Sequence, residues 1–292
     1  MNRKVARRLP GVGKFVRALD ELQAKYARLK AQRDDLKVDL AEAQAQLAHF
    51  FRERNEREAS RIKQEHPLPV PPAPLRLRVH GTDDEASFIT VGNEVASQVR
   101  QILANAGRPL DTFARILDFG CGCGRVIGYL GPRPGLFGTD LDQEAIKWCE
   151  QNLSDVASFR VNGDKPPLPF ESESFDFVYA ISVFTHLPEN LELLWLEELR
   201  RVTKPGGILL LTVHGEKLFR RVPYQSRAEL KAHGFCHPHC GSTPGLPDYY
   251  QTSFHTEDYI RGTWSKFFGI KSIESLGSHD AILCERESAA AS

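Results

Sequence analysis

Arg115-Ile-Leu-Asp-Phe-Gly-Cys-Gly-Cys-Gly-Arg-Val126 is the stretch on which the fold turns. A short apolar run ends in an acid, and three glycines then alternate with two cysteines. That is the pattern of a buried strand entering a sharp turn. With a helix behind it, such a turn sets backbone N–H groups and a helix N-terminus at the carboxyl edge of a sheet. A dinucleotide loop carries glycine at its first, third and sixth positions. Counted from Gly120, the sixth is Arg125, so the loop is instead Gly-x-Gly-x-Gly. Cys121 and Cys123 stand too close together for a zinc knuckle of the Cys-x-x-Cys kind and read as small fillers.

Outward from this loop, short apolar strands alternate with helical patterns. Strands are expected at 115–120, 136–140, 158–163, 175–180 and 208–213, and helices at 91–106, 124–130, 142–153 and 188–203. The tail adds a helix at 256–267 and strands at 269–274 and 281–285. This alternation predicts an α/β fold with a mostly parallel, doubly wound sheet. Residues 216–255, rich in Gly, Pro, His and Tyr, read as an insertion or lid.

The loop Asp118-Phe-Gly-Cys-Gly-Cys-Gly124 resembles motif I of the class I S-adenosylmethionine-dependent methyltransferases, a Rossmann-like family. Further matches follow in order: Phe137-Gly-Thr-Asp140, Asn162-Gly-Asp164, Phe170 to Tyr179, Ser182-Val-Phe-Thr-His-Leu187, and Leu199 to Gly207. The resemblance covers residues 88–287 and implies a seven-stranded sheet with S-adenosyl-L-methionine as cofactor. It implies that Asp118 helps hold the methionine ammonium and that Asp164 meets the adenine amine. Asp140 can accept hydrogen bonds from the ribose hydroxyls, as an acid at this strand end does in dinucleotide folds. Gly120, Cys121, Gly122, Gly124, Leu141, Asn162, Gly163 and Ser182 complete the expected cofactor set. Asp142 reads as a helix N-cap.

An oxygen acceptor needs help in losing its proton, so a histidine near the transferred methyl is expected. His186 lies just past the fourth strand, His214 just past the fifth, and His255 ends the insertion; these are the catalytic candidates. The run from Trp148 through SVFTHL to LLLTVHG is similar to a bacterial branch of the family associated with polysaccharide and glycan biosynthesis, which implies a small-molecule or glycan hydroxyl as acceptor. Ala180-Ile-Ser-Val-Phe184 replaces the Pro-Pro-aromatic signature of DNA amino-methyltransferases, so no nucleic acid is expected. The alternatives are a protein methyltransferase recruited through the N-terminal helix, a non-catalytic scaffold, and an NAD-dependent oxidoreductase; Arg125 and the later motifs count against the last. His233, Cys236, His237, His239 and Cys240, with His255, have the look of a zinc cluster but lack a matching second pair, so no metal is expected.

The flanks carry a different signal. Leu19, Leu22, Tyr26, Leu29, Arg33, Leu36, Leu40, Ala43, Leu47 and Phe50 are spaced alternately three and four apart, the seam of a coiled coil. A homo-oligomer, as a parallel dimer or trimer, follows as an expectation. Residues 1–18 form a basic arm that can touch anionic lipid peripherally, 19–65 the coiled-coil helix, and 66–75 a proline-rich linker of polyproline type. The methyltransferase domain then runs over 76–287, and 288–292 are tail. Lysine plus arginine equals aspartate plus glutamate at 38 each, so net charge selects no partner. No stretch reaches the ~20 apolar residues of a membrane span. Without an export signal, the six cysteines are expected as reduced thiols in the cytoplasm.

Overall fold

The structure is a computed structural model that describes residues 12–239, 241 and 246–288. The N-terminal arm up to residue 11 and Cys240 lie outside the described residues. The chain divides into two units, residues 1–57 and 58–292.

Helix α1 spans Val12–Glu65. No glycine after Gly13 and no proline interrupts it, and its side chains are nearly all exposed up to residue 57. The seam residues Leu22, Tyr26, Leu29, Leu36, Leu40, Leu47 and Phe50 are all exposed. Its last two turns belong to the second unit. There Ala59 and Ile62 are buried against Ile89, and Lys63 pairs with Glu85.

Proline ends the helix, as expected, but residues 66–75 do not run free. Leu68 and Val70 pack on the domain, and helix α2 begins already at Ala73 and runs to His80. Apolar side chains between the prolines hold the segment down. Leu75 and Val79 of α2 reach Cys123 and Ala145.

Helix α3 (Glu85–Asn105) is capped by Asp84, whose side chain accepts from the Ser87 N–H. The central sheet then comprises β1 (Ile116–Phe119), β2 (Leu136–Asp140), β3 (Ser158–Val161), β4 (Phe175–Ala180) and β5 (Thr203–Val213). Helices α4 (Gln143–Asn152) and α5 (Glu189–Val202) connect strands across it. The insertion holds α6 (Arg227–His233) and a two-stranded ribbon, β6 (Phe235–Cys236) with β7 (Phe254–His255). Helix α7 (Glu257–Thr263), β8 (Gly269–Leu276) and β9 (His279–Glu285) complete the described elements.

The seven strands lie in the order β3-β2-β1-β4-β5-β9-β8. The first five are mutually parallel, while β9 is antiparallel to both β5 and β8. Successive side chains of a strand point to opposite faces, and the core divides accordingly. Ile116, Phe177, Tyr179, Ile208 and Leu210 join the α3 and α4 side, whereas Leu117, Val178, Leu209 and Leu211 join the α5 and α7 side. The strand order reverses between β1 and β4, which is where an open parallel sheet presents its ligand crevice.

One expected element is reduced. The helix predicted over 124–130 is only a short 3₁₀ turn, Ile127–Tyr129. Gly124 sits at φ 82°, outside the right-handed region, so the chain cannot enter a helix there. Only this 3₁₀ turn, and no α-helix, follows the loop directly. No helix among the described residues is long and apolar enough to cross a membrane.

Candidate functional site

At the carboxyl ends of β1, β2 and β4 lies a cavity of about 1000 Å3, its solvent-facing mouth included. Asp118, Gly120, Cys121 and Gly122 line it from the β1 loop, Asp140 and Leu141 from the end of β2. Asn162, Gly163 and Asp164 follow β3, and Ser182 follows β4. Ten expected cofactor residues thus share one wall. Gly124 does not. A Cβ there would stand 2.4 Å from Leu153 Cδ1, so this glycine serves packing against the end of α4.

Gly120, at φ 79°, requires glycine twice over: the backbone is left-handed, and a Cβ would meet Val183 Cγ2 at 2.2 Å. The loop is fastened to β2 through Asp140. Its Oδ2 accepts the Gly122 N–H at 2.7 Å and its Oδ1 the Asp142 N–H at 2.9 Å. Asp142 caps α4, accepting from the Glu144 and Ala145 N–H groups, and pairs with Arg78 at 2.8 Å. Ser182 holds φ 62°, a conformation rare outside glycine, and its N–H donates to Thr212 Oγ1 at 2.7 Å. Such strain persists only where surrounding contacts enforce it.

The electrostatics of this wall are set by burial. Asp118 is buried, and loss of water pushes its pKa up to about 8, although the Tyr179 hydroxyl donates to it at 2.8 Å and opposes the rise. Burial also raises Asp140, against the pull of its backbone N–H donors, and lowers Arg125. Arg125 Nε and Asn162 Oδ1 are buried without a hydrogen-bond partner among the described residues. Orphaned polar groups around a cavity point to a polar ligand. Two desolvated carboxyls that would gain from a cation, an unmatched amide oxygen and a glycine cradle fit S-adenosylmethionine, which carries an ammonium, a sulfonium and a nucleoside. Burial pushes the Cys123 thiol up to about 12 and raises that of Cys121 well above its ordinary value, and Cys121, Cys123, Cys149, Cys236 and Cys284 are free and buried.

The other walls come from residues that the sequence did not mark as part of the site. Arg78 and Val79 enter from α2, Trp195 from α5, and Leu246, Tyr249 and Tyr250 from the insertion. The adjacent aromatics of Tyr249-Tyr-Gln-Thr were a readable signal; α2 was hidden because its chain reads as the end of a proline linker.

The three histidine candidates fall in different places. His186 lies directly behind the cavity wall. Its ring stacks on Tyr250 with centroids 4.0 Å apart and planes within 16°, and its Nδ1 lies 2.8 Å from the Gln251 carbonyl oxygen. A carbonyl only accepts, so Nδ1 bears the proton and Nε2 presents the lone pair. Burial lowers the pKa to about 4, which keeps the ring neutral. His214 lines a smaller, separate cavity with Leu218, Arg221 and Phe254, its ring centre 6.3 Å from that of His186.

His255 is placed differently from its expected catalytic role. It is 1 % exposed, and its Nε2 lies 2.7 Å from Glu192 Oε2. Glu192, itself wholly buried, also accepts from Trp264 Nε1 at 2.8 Å and the Tyr259 hydroxyl at 3.3 Å. This network ties the insertion to α5 and α7, and His255 is not among the residues lining the cavity. His279, which carried no signal in the sequence, stands at the start of β9 with its ring 5.1 Å from that of His214 and its pKa lowered to about 4 by burial.

Among the described residues no group of three or more His, Cys, Asp or Glu side chains is arranged to hold a metal. His237 is instead a brace, with Nδ1 2.8 Å from Ser253 Oγ and Nε2 3.0 Å from the Tyr249 carbonyl.

Residues 117–211 match a family described as "Methyltransferase domain". The chain is 41% identical over 101 residues to a tRNA (carboxymethyluridine(34)-5-O)-methyltransferase of Arabidopsis thaliana, covering 34% of this chain and 23% of that protein. It is 35% identical over 101 residues to a fatty-acid O-methyltransferase of Mycolicibacterium smegmatis, covering 34% and 36%. The match thus spans well under half the length of either relative. Among solved structures, the magnesium protoporphyrin IX methyltransferase of Synechocystis with bound SAH is similar at 19% identity and a TM-score of 0.49, over 72% of this chain and 92% of that one.

Proposed function

We propose, for a chain whose residues 117–211 are a class I, Rossmann-like methyltransferase domain with S-adenosylmethionine as its cofactor, that the protein methylates a hydroxyl of a small-molecule or glycan acceptor. When bound, the cofactor supplies a methyl group already activated on a sulfonium. The protein's part is alignment, exclusion of water and removal of the acceptor proton, and alignment alone is worth about 7–11 kcal/mol in well-oriented systems. Asp140 would hold the ribose hydroxyls, Asp118 the ammonium, and Asn162 with Asp164 the adenine.

The observation that carries the choice of oxygen is the state of His186. A neutral imidazole with its proton fixed on Nδ1 by Gln251 offers Nε2 as a base. A hydroxyl must surrender a proton during transfer, and a positioned base contributes typically 10²–10⁴-fold. The O-methyltransferase names of the two relatives above agree with an oxygen acceptor.

Transfer of a tritiated methyl group to hydroxyl-bearing glycans and small molecules tests the reading. His186→Ala should lower kcat about 10²-fold or more while S-adenosylhomocysteine affinity stays within about twofold. Transfer to amines only, or an unchanged kcat in the variant, would remove the hydroxyl assignment.

A further inference from the structure

Residues 19–50 of α1 expose an apolar stripe: Tyr26 is 68% exposed and Leu36 66%. A groove at its midpoint is lined by Leu29, Gln32, Arg33, Leu36, Lys37 and Leu40. We infer that this face binds a second copy of the same chain, with the two helices antiparallel and their two-fold axis between Asp34 and Asp35.

The register follows from the sizes and charges along the seam. In an antiparallel coiled coil an a position packs against a d position of the partner. Placing the axis between Asp34 and Asp35 sets Leu19 opposite Phe50, Leu22 opposite Leu47, Tyr26 opposite Ala43, Leu29 opposite Leu40 and Arg33 opposite Leu36. The residue numbers in every pair have the same sum, so one axis satisfies all five layers. The bulkiest seam residue, Tyr26, meets the smallest, Ala43.

A parallel dimer distributes the same residues badly. It stacks Tyr26 on its own copy and Ala43 on its own copy, so one layer forces the helices apart and another leaves a void. It also sets Arg33 against a second Arg33 at the seam, two like charges each held by its own Asp34 at 2.7 Å. In the antiparallel pair each Arg33 faces a leucine and can reach Asp39 of the other copy, the acid at the adjoining g position. Flanking charges do not decide: Lys25 opposes Lys30 in the parallel arrangement and Lys30 opposes Lys37 in the antiparallel one. The seam decides, and it corrects the parallel arrangement first expected from the heptads.

Disulfide capture on the full-length protein distinguishes the outcomes. In the antiparallel pair, residues 22 and 47 of opposite chains share a layer, within the 4.4–6.8 Å Cα separation that a disulfide spans. Two copies of residue 22 lie roughly 38 Å apart along the axis at 1.5 Å per residue. After mild oxidation, a mixture of Leu22→Cys and Leu47→Cys chains should give cross-linked dimer at least about fivefold above either variant alone, with the unmodified chain as blank. Light scattering of the unmodified protein should give twice the 32.8 kDa chain mass. Equal cross-linking by Leu22→Cys alone would establish a parallel pair, and a mass of one or three chains would exclude the dimer; either result overturns the inference.

Discussion

Two histidines that look equivalent in the sequence have opposite physical situations. His186 has one nitrogen tied to a carbonyl and its ring stacked on Tyr250, which lines the cavity. His255 is locked to a buried carboxylate that also receives an indole and a phenol. Their alanine variants should therefore separate cleanly. His186→Ala should keep its melting temperature within about 2 °C and lose turnover, while His255→Ala, which strips a buried partner from Glu192, should cost about 1–3 kcal/mol of stability. Denaturant unfolding followed by single-turnover assays reads both quantities, and a stable but inactive His255→Ala would reverse the two roles. Asp118 and Asp140 were readable as cofactor candidates from the motifs they sit in, and both line the cavity, while Asp140 also fastens the β1 loop and Asp118 accepts from the Tyr179 hydroxyl. Burial of His255 was not readable, because Glu192, its partner, lies 63 residues away and looks like any acid in the first turn of a helix.

The β1 loop shows how far local sequence reaches at the level of an element. Its glycines announced a tight turn, and ten of the eleven cofactor candidates share the resulting wall. The helix expected over 124–130 is reduced to the 3₁₀ turn Ile127–Tyr129, and Gly124 itself is left-handed, which glycine spacing alone does not reveal. Strand positions were legible from short apolar runs, whereas the packing of residues 66–80 onto the domain was not, because prolines obscured Leu68, Val70 and Leu75. Gly120→Ala tests the loop directly. Its Cβ would strike Val183 from a backbone conformation that alanine resists, so stability should fall by about 1–3 kcal/mol. Cofactor affinity should fall about tenfold or more, since the loop must shift to relieve the contact. Unchanged urea unfolding and unchanged affinity would mean that the loop is not held as described.

Across the whole molecule, stability should depend on pH in a way the buried groups prescribe. His80, His186, His214 and His279 are each lowered to about 4 by burial. Between pH 6.5 and 4 the unfolded chain binds protons at these rings that the folded chain refuses, so stability falls as pH drops through this window. Asp118, raised to about 8, acts oppositely: its charging penalises the folded state as pH rises from about 4 to 8. These four histidines, with His237 lowered as well, outnumber Asp118 and the other raised carboxyls, Asp140 and Asp280, below pH 6.5, so thermal stability should peak near neutrality and fall by several degrees toward pH 4.5. A scanning-calorimetry profile flat over that range would contradict the burial of these rings. The central claim, a methyltransferase site built around the β1 loop and Asp140, is tested most directly by calorimetric titration of the full-length protein with S-adenosylhomocysteine and NAD, in parallel with Asp140→Ala. The account predicts saturable binding of S-adenosylhomocysteine and not of NAD, weakened at least about tenfold in the folded variant; binding of NAD alone, or S-adenosylhomocysteine affinity indifferent to Asp140, would contradict it.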